Sequence, residues 1–368
     1  MGPGRPHQPP ELFLEGIMTN DNDPIPPAAE SLENSAPREP QAEPPETAGD
    51  PLFAEIQRFT GQVAEQVGKS VVGMHAEMRH ALAAILAGGH VLLEGPPGVA
   101  KTFLVRSIAA ALGGTYQRIQ FTPDLMPSDV TGTSIFRPNE GEFVFQKGPI
   151  FAHFLLCDEI NRAPAKTQAA LLEAMQEHSA TVDGVSHALP EPFLVFATQN
   201  PLEHEGTYPL PEAQLDRFLF KVIVDYPSEE LETRLLGEVH SRPPAADPTE
   251  LGVRPVANPE QLTRFMECVA RVSVREDLPG YVVRLLRATR DSNQLVLGAS
   301  PRAGVMLLRA AKAIAAIEGR DYVLPDDVKE VFLPAMRHRV VLDPAEEIEG
   351  GTTDQVLLAL LDRVEVPR

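Results

Sequence analysis

The sequence is poor in cysteine and in basic side chains. Its 368 residues include only two cysteines, Cys157 and Cys268, which excludes a disulfide framework and leads us to expect a reducing compartment, the cytoplasm. Lysine and arginine number 32 against 52 acidic residues, so the formal net charge is −20. A chain this acidic lacks the basic face that releases counterions from nucleic acid, and we therefore expect no general nucleic-acid binding.

Long apolar runs are absent as well. No stretch approaches the ~20 apolar residues that a transmembrane helix needs, so no membrane span is expected. The N-terminus has no basic region followed by an apolar core, which argues against a secretory signal. The chain is nevertheless long enough for two domains with a sizeable core.

Residues 1–50 differ in composition from the rest of the chain. They hold eleven of the 36 prolines, few large apolar residues and more acids than bases. A segment of this kind buries too little apolar surface to offset the entropy of ordering it, so we predict a disordered tail. Met18, within this segment, is a second candidate start.

Five apolar, strand-like runs follow, and helical patterns separate several of them. The runs are HVLLEG (90–95), QRIQF (117–121), FAHFLLCDE (151–159), PFLVFATQN (192–200) and FLFKVIVDY (218–226). Near-continuous apolar strands that alternate with helices predict a parallel sheet covered on both faces. Two interruptions predict β-hairpins, at 131–148 and at 179–190, where Asp183-Gly184 is a strong turn dipeptide.

After about residue 226 the strand patterns end and helical patterns take over. They cover 228–240, 258–272, 274–290, 301–318, 325–338 and 352–363. Asn258-Pro259-Glu260-Gln261 is typical of a helix start, with a capping Asn and a Pro at the first helical position. We therefore predict an α/β domain at 51–227 and a smaller all-helical domain at 228–368.

The stretch EGPPGVAKTF (94–103) nearly matches the phosphate-binding pattern G-x-x-x-x-G-K-[ST], with Ala100 in place of the second glycine. A strand pattern precedes it and a helical pattern follows it, the setting in which backbone N–H groups surround phosphates. A glycine-rich turn before a core helix is the alternative. On the first interpretation Lys101 holds the β- and γ-phosphates and Thr102 a Mg²⁺ ion. The predicted nucleotide contacts are Gly95, Pro96, Pro97, Gly98, Val99, Ala100, Lys101, Thr102 and Phe103; we expect a negative φ at Ala100 and a positive φ at Gly98.

Polar side chains also end two later strand patterns. Asp158 and Glu159 close the run at 151–159, and Asn200 closes the run at 192–200. Asp158 can hold Mg²⁺, Glu159 can activate a water for attack on the γ-phosphate, and the Asn200 amide can orient that water. Taken alone, acids commonly close strands and Asn before Pro commonly marks a turn. Strands of one parallel sheet end on one side, so all three should lie near the phosphate-binding loop.

Four motifs, in this order, resemble the MoxR family of AAA+ ATPases. They are the loop at 95–102, LLCDEINRAP (155–164), ATQNPLEHEGTYPLPEAQLDRF (197–218) and GASPRAGVMLLRAAKAIAAIEGRDYVLPDDV (298–328). The resemblance implies ATP and Mg²⁺ as cofactors, a sheet of order 5-1-4-3-2 and a helical lid. It also implies that the two hairpins are the helix-2 insert and the pre-sensor hairpin of a branch that includes magnesium-chelatase motors and MCM helicases.

The resemblance assigns further roles. Asn200 resembles sensor 1, Arg217 the arginine finger that reaches a neighbouring subunit's ATP, and Arg302 sensor 2, placed in the first turn of a helix able to reach phosphate. Val72 and Gly73 resemble the adenine-contacting segment, although Met74 departs from the usual Gln. For Arg217 and Arg302 taken alone, a surface salt bridge is the alternative.

Two other positions are less defined by the motifs. Arg162 either faces a subunit interface or caps a helix. Leu324 stands where a capping Thr is common, which should cost its helix a cap. A finger that acts on a neighbour completes each site at a subunit boundary, so we expect a ring, a hexamer.

Three functions are consistent with these features. The first is an ATP-driven motor that moves its lid and remodels a partner protein, by resemblance one with a von Willebrand factor A domain. In it the apolar residues Ile135, Phe136, Phe143 and Phe145 of the first hairpin either meet a partner or pack on their own domain. The second is a nucleic-acid translocase of the MCM-like branch, which the acidic balance disfavours. The third is a nucleotide-responsive scaffold without turnover.

Overall fold

The computed structural model describes residues 50–139, 141–201, 207–240 and 247–367, so the predicted tail at 1–50 lies outside the described residues apart from Asp50. The helices are α1 (Pro51–Gly68), α2 (His75–Leu86), α3 (Lys101–Leu112), α4 (Pro127–Thr131), α5 (Ala165–Glu177), α6 (Glu212–Leu215), α7 (Glu229–His240), α8 (Pro259–Ala270), α9 (Asp277–Arg290), α10 (Pro301–Ile317), α11 (Pro325–Met336), α12 (Pro344–Ile348) and α13 (Thr353–Arg363). The strands are β1 (His90–Glu94), β2 (Tyr116–Gln120), β3 (Gly132–Arg137), β4 (Glu142–Lys147), β5 (Phe154–Asp158), β6 (Ser179–Val182), β7 (Val185–Ala188), β8 (Leu194–Gln199), β9 (Phe218–Ile223), β10 (Leu295–Leu297) and β11 (Val341–Leu342).

A five-stranded parallel sheet has the order β2-β5-β8-β1-β9. Counted along the chain, these five strands give the order 5-1-4-3-2, which confirms the expected topology. Val91 and Leu93 of β1 belong to one apolar core, and Leu92 between them belongs to another. Both faces of the sheet are therefore covered, which explains why β1 reads as a continuous apolar run.

Both predicted hairpins are present outside the sheet. Strands β3 and β4 pair antiparallel, and so do β6 and β7. Between β6 and β7, Asp183 and Gly184 have φ values of 50° and 80°. Two consecutive positive φ angles define the tight turn that an Asp-Gly dipeptide favours, so the sequence signal is confirmed.

The helices after β9 follow the predicted periodicity closely. Asn258 accepts a hydrogen bond from the Gln261 amide and Gln261 returns one to the Asn258 amide, which completes the predicted cap of α8. Leu324 provides no side-chain cap to α11, as expected. The expectation that strands cease after 226 is wrong, because β10 and β11 pair antiparallel.

Helices α1 and α2 belong to the predicted α/β segment but also pack against the later helices α8 and α10. The boundary between 227 and 228 therefore stays a prediction. Cys157 and Cys268 are both free and buried. Among the described helices, none combines the length and the apolar character that crossing a bilayer requires.

Candidate nucleotide site

The phosphate-binding loop connects β1 to α3 at the carboxyl edge of the sheet. A side chain at Gly95 would place its Cβ 2.0 Å from the backbone oxygen of Val224, so only glycine fits there. The Lys101 ammonium donates to the carbonyls of Gly95 (2.6 Å) and Pro96 (2.7 Å) inside the loop. Burial lowers the pKa of Lys101, and the carboxylate of Asp158 is the first of three that oppose this shift.

Ala100 differs from the expectation of a negative φ. Its backbone is left-handed, with φ 61° and ψ 21°, whereas Gly98 has the expected positive φ of 85°. Ala100 is the residue at which the loop turns into α3, and its carbonyl accepts the first helical hydrogen bond, from Leu104. That turn dictates the backbone conformation, and alanine adopts it at a cost of about 1–2 kcal/mol.

The carboxylate of Asp158 lies beside the start of α3. Its Oδ2 accepts a hydrogen bond from the Thr102 hydroxyl at 3.2 Å, and its Oδ1 accepts one from the Thr198 hydroxyl at 2.5 Å. The Thr198 hydroxyl in turn accepts a bond from the amide of Glu159, whose φ is 56°. Two of the non-glycine residues with positive φ, Ala100 and Glu159, thus lie in this site, where such strain often accompanies function.

A cavity of about 320 Å³ opens between the loop and the ends of β5 and β8. Its lining includes Lys101, Thr102, Asp158, Glu159 and Asn200. The structure therefore brings together the residues that the sequence placed at three separate strand ends. The rest of the lining consists of Pro97, Gly98, Val99, Ala100, Phe103, Thr198 and Gln199.

The oxygen donors in this cavity suit a magnesium ion. The Thr102 hydroxyl and the Asp158 carboxylate approach to 3.2 Å, and both are hard ligands. Within the described residues, no group of three or more His, Cys, Asp or Glu side chains could cage a metal. Mg²⁺ is commonly held by one or two protein ligands together with substrate phosphates, so these residues fit it.

Three polar residues that the sequence interpretation did not place in the site contact the two acids. Arg118 of β2 donates to Asp158 Oδ2 from Nε (3.1 Å) and from Nη2 (2.6 Å). Gln120 Nε2 and Arg162 Nη1 each donate to Glu159 Oε2 at 2.9 Å. Arg118 and Gln120 alternate within QRIQF, so the period of two was the available signal that they share one face.

A second cavity of about 1040 Å³ adjoins the first and contains Val72 and Gly73. The two cavities share the loop residues 97–100 and Phe103. Gly73 has φ 85°, and a Cβ there would lie 2.0 Å from Cδ2 of Leu231 in α7. The positive φ and the close approach to Leu231 both favour glycine at position 73, beside a space continuous with the phosphate side.

Arg217 and Arg302 lie elsewhere: among the described residues that line the two cavities, neither appears. Arg217 directly precedes β9, whose first residue is paired with the first residue of β1. It donates to Gln176, and its Nε is buried without a partner among the described residues. Because the phosphate loop follows the other end of β1, the strand separates the two by about 13 Å.

Arg302 lies away from the phosphate-binding loop of its own chain, and its role as sensor 2 stays a prediction. Arg302 lies in the first turn of α10, and the Ser300 side chain caps that turn by accepting from the Ala303 amide. Its Nε is 3.5 Å from Oδ2 of Asp216, the neighbour of Arg217. The start of α10 packs beside the turn that precedes β9, and this packing carries Arg302 to the amino-terminal edge of the sheet.

Comparison with known proteins agrees with this architecture. The model of the ATPase family associated with various cellular activities (AAA) matches residues 90–220, and that of the AAA lid domain matches residues 287–359. "Chaperone MoxR1" of Mycobacterium tuberculosis is 44% identical over 338 residues, covering 89% of this chain and 88% of the relative. "Uncharacterized protein YeaC" of Bacillus subtilis is 44% identical over 315 residues, covering 85% and 96%. A crystal structure of a candidate ATPase from Cytophaga hutchinsonii superposes with a TM-score of 0.79 at 39% identity, covering 86% and 98%.

Proposed function

This chain belongs to the MoxR family of AAA+ ATPases, and from that premise we propose that it hydrolyses ATP to remodel a partner protein in a chaperone-like way. One observation carries the catalytic part of the proposal. Lys101, Thr102, Asp158, Glu159 and Asn200 line a single cavity at the carboxyl edge of the sheet. These are the groups that phosphate binding, metal binding and water activation require.

Each group has a distinct part in hydrolysis. The loop N–H groups and the Lys101 ammonium hold the phosphates, after the ammonium leaves the carbonyls it now contacts. Thr102 and Asp158 would hold Mg²⁺, which when bound neutralises charge on the phosphate oxygens. Glu159 takes the proton of the attacking water, and the Asn200 amide orients that water.

The variant Glu159→Gln tests the assignment of the base. It removes the proton acceptor and keeps the shape, so ATP binding should persist while phosphate release falls by at least about 100-fold. Lys101→Ala is the matched control, because it should abolish ATP binding itself. Normal hydrolysis by Glu159→Gln would show that another group activates the water.

The two remote arginines are proposed to act on the nucleotide of a neighbouring subunit. Arg217 belongs to the turn before β9, and Arg302 lies beside Asp216 of the same turn, about one strand length from the cavity of their own chain. Such an arrangement completes each site only at a subunit boundary, which supports a closed ring, by resemblance a hexamer. Arg217→Ala should remain hexameric by light scattering and lose hydrolysis; full activity in an intact ring would contradict this role.

The first hairpin, β3–β4, is proposed to contact the partner. Ile135, Phe136 and Phe143 are 44%, 49% and 72% exposed, and the rings of Phe136 and Phe143 lie 5.2 Å apart. Phe145, in contrast, stacks on His187 of the second hairpin at 4.0 Å. The tip therefore presents apolar surface while its base packs on the domain.

The tip is tested by replacing both exposed rings. Phe136→Ser with Phe143→Ser should leave basal ATPase unchanged, since the tip lies outside the nucleotide cavity, and should abolish remodelling of the partner. A von Willebrand factor A domain protein is the first candidate to assay, on the strength of the family resemblance. Loss of basal ATPase as well would assign the hairpin a structural role.

A further inference from the structure

Strand β9 is an edge strand, and a segment that follows α11 covers part of its backbone. We call residues 337–339 the clasp. Each of its three consecutive side chains donates to carbonyls of β9. The bonds run from Arg337 Nη1 to Lys221 (3.2 Å), from His338 Nε2 to Phe218 (2.9 Å), and from Arg339 Nη1 and Nη2 to Leu219 (3.1 Å) and Phe218 (2.7 Å).

Arg339 is the most constrained member of the clasp. The residue is only 7% exposed, and its Nε donates to Oδ1 of Asp216 at 2.7 Å. Its Nη2 also reaches the backbone carbonyl of Asp216 at 3.3 Å, and its Nη1 donates to the carbonyl of Ala335. A buried guanidinium requires a paired charge, and Asp216 provides it. Arg339 thereby fixes both the side chain and the backbone of the residue next to Arg217.

Asp216 serves a second arginine in a looser way. Its other oxygen, Oδ2, lies 3.5 Å from Arg302, whose side chain is 52% exposed, whereas that of Arg339 is 2% exposed. The two partners of Asp216 are therefore unequal. Arg302 can leave without exposing an unpaired carboxylate, because the buried bond to Arg339 remains.

The other backbone bonds of the turn that carries Arg217 are local to α6: the Asp216 amide donates to the carbonyl of Glu212 at 3.0 Å, and the Arg217 amide donates to the carbonyl of Gln214 at 3.2 Å. The Arg217 side chain donates to Gln176. We infer that Arg339 is a positioning residue for Arg217 and Arg302, because it holds their shared turn against α11. The inference rests on the proposed action of those arginines on a neighbouring nucleotide. It also means that α11 and the turn move together, so a displacement of the lid helix displaces both arginines.

The variant Arg339→Lys tests the inference. Lysine keeps the charge beside Asp216 but cannot reach several carbonyls at once. A misplacement on the order of 1 Å costs about 100-fold in rate, so kcat should fall by about that factor. Affinity for ADP should change less than about twofold, because the chain's own phosphate loop is intact. Arg337→Lys is the matched control: it weakens the bond to Lys221 and the two bonds to Asp354 of α13, all away from the turn, and should retain hydrolysis within about threefold.

Mixed rings separate positioning from a general loss of structure. Arg339→Lys subunits have an intact phosphate loop, and Lys101→Ala subunits have intact arginines. Mixing the two should restore hydrolysis above the sum of the separate preparations, as should mixing Arg217→Ala with Lys101→Ala. If only the second mixture recovers activity, the inference about Arg339 is overturned. If neither recovers, the proposed action across the subunit boundary fails, and the inference falls with it.

A folding defect can be avoided with a second variant. Arg339→Met combined with Asp216→Asn removes both charges, so neither remains buried and unpaired. Its thermal unfolding and its ring size establish that it is folded and assembled. In the same mixing experiment it should also be rescued by Lys101→Ala subunits, and a failure to recover would contradict the inference.

Discussion

Replacing Ala100 by glycine should stabilise the protein slightly and preserve nucleotide binding. Ala100 has φ 61° and ψ 21°, a conformation that costs an L-residue about 1–2 kcal/mol and glycine nothing. Glycine also gives the unfolded chain more freedom, which offsets about 0.4–1 kcal/mol of that gain. The net free energy of unfolding should therefore rise by about 0.5–1 kcal/mol, which in a chain of this size raises the Tm by about 1–2 °C.

Scanning calorimetry measures the Tm, and titration with ADP and Mg²⁺ measures the affinity for nucleotide. Ala100→Val is the matched comparison, because a β-branched side chain is a genuine outlier at positive φ and should lower the Tm. Lys101→Ala should keep the fold and abolish binding. If Ala100→Gly loses more than about 1 kcal/mol of stability, the left-handed assignment is refuted, since glycine should gain wherever strain is relieved.

Three further predictions concern charge, pH and backbone space. Arg118→Gln removes a half-exposed ion pair with Asp158 that is worth about 1 kcal/mol. The Mg²⁺ concentration that half-saturates MgADP binding should therefore fall up to about fivefold. An unchanged concentration would show that Arg118 does not compete with Mg²⁺ for this carboxylate. Burial lowers the pKa of His90 to about 4. Acidification from pH 6.5 to 4 therefore protonates this histidine in the unfolded chain before it does so in the folded one, and the free energy of unfolding should fall by about 3 kcal/mol. In urea unfolding at a series of pH values, His90→Gln should remove this part of the pH dependence of stability. An unchanged pH dependence would show that His90 is not its source. Gly73→Ala puts a methyl group 2.0 Å from a leucine of α7 at φ 85° and should weaken ADP binding in calorimetry, whereas Gly61→Ala, in open space, should not. Equal affinity for ADP in both glycine variants would show that α7 yields freely.

The fold could be predicted largely from local patterns. The apolar runs of β1, β5 and β8 are buried on both faces, and that burial requires apolar side chains at successive positions of each strand. The order of the strands came from the family resemblance, because periodicity carries no information on which strands are neighbours. Strands β10 and β11 escaped prediction, since three and two residues are too few to show alternation.

The candidate site could also be predicted only in part. Lys101 and Thr102 are adjacent in sequence, and Asp158 and Asn200 end parallel strands, so their meeting could be foreseen. Arg118 was missed, because its contact with Asp158 depends on the register of β2 against β5. The left-handed backbone of Ala100 was also missed, because the turn into α3 overrides the local preference of alanine.

By itself, the sequence identified the groups that we propose bind phosphate and accept a proton, and it indicated most of the segments that form strands or helices. Only the tertiary structure showed where the two arginines lie. Arg217 and Arg302 are 85 residues apart along the chain, and their common neighbour Asp216 becomes visible only when α10 packs beside the turn before β9. Local patterns reflect local backbone preferences and burial. The bonds from the clasp to an edge strand are made between segments more than 110 residues apart, which no local pattern encodes.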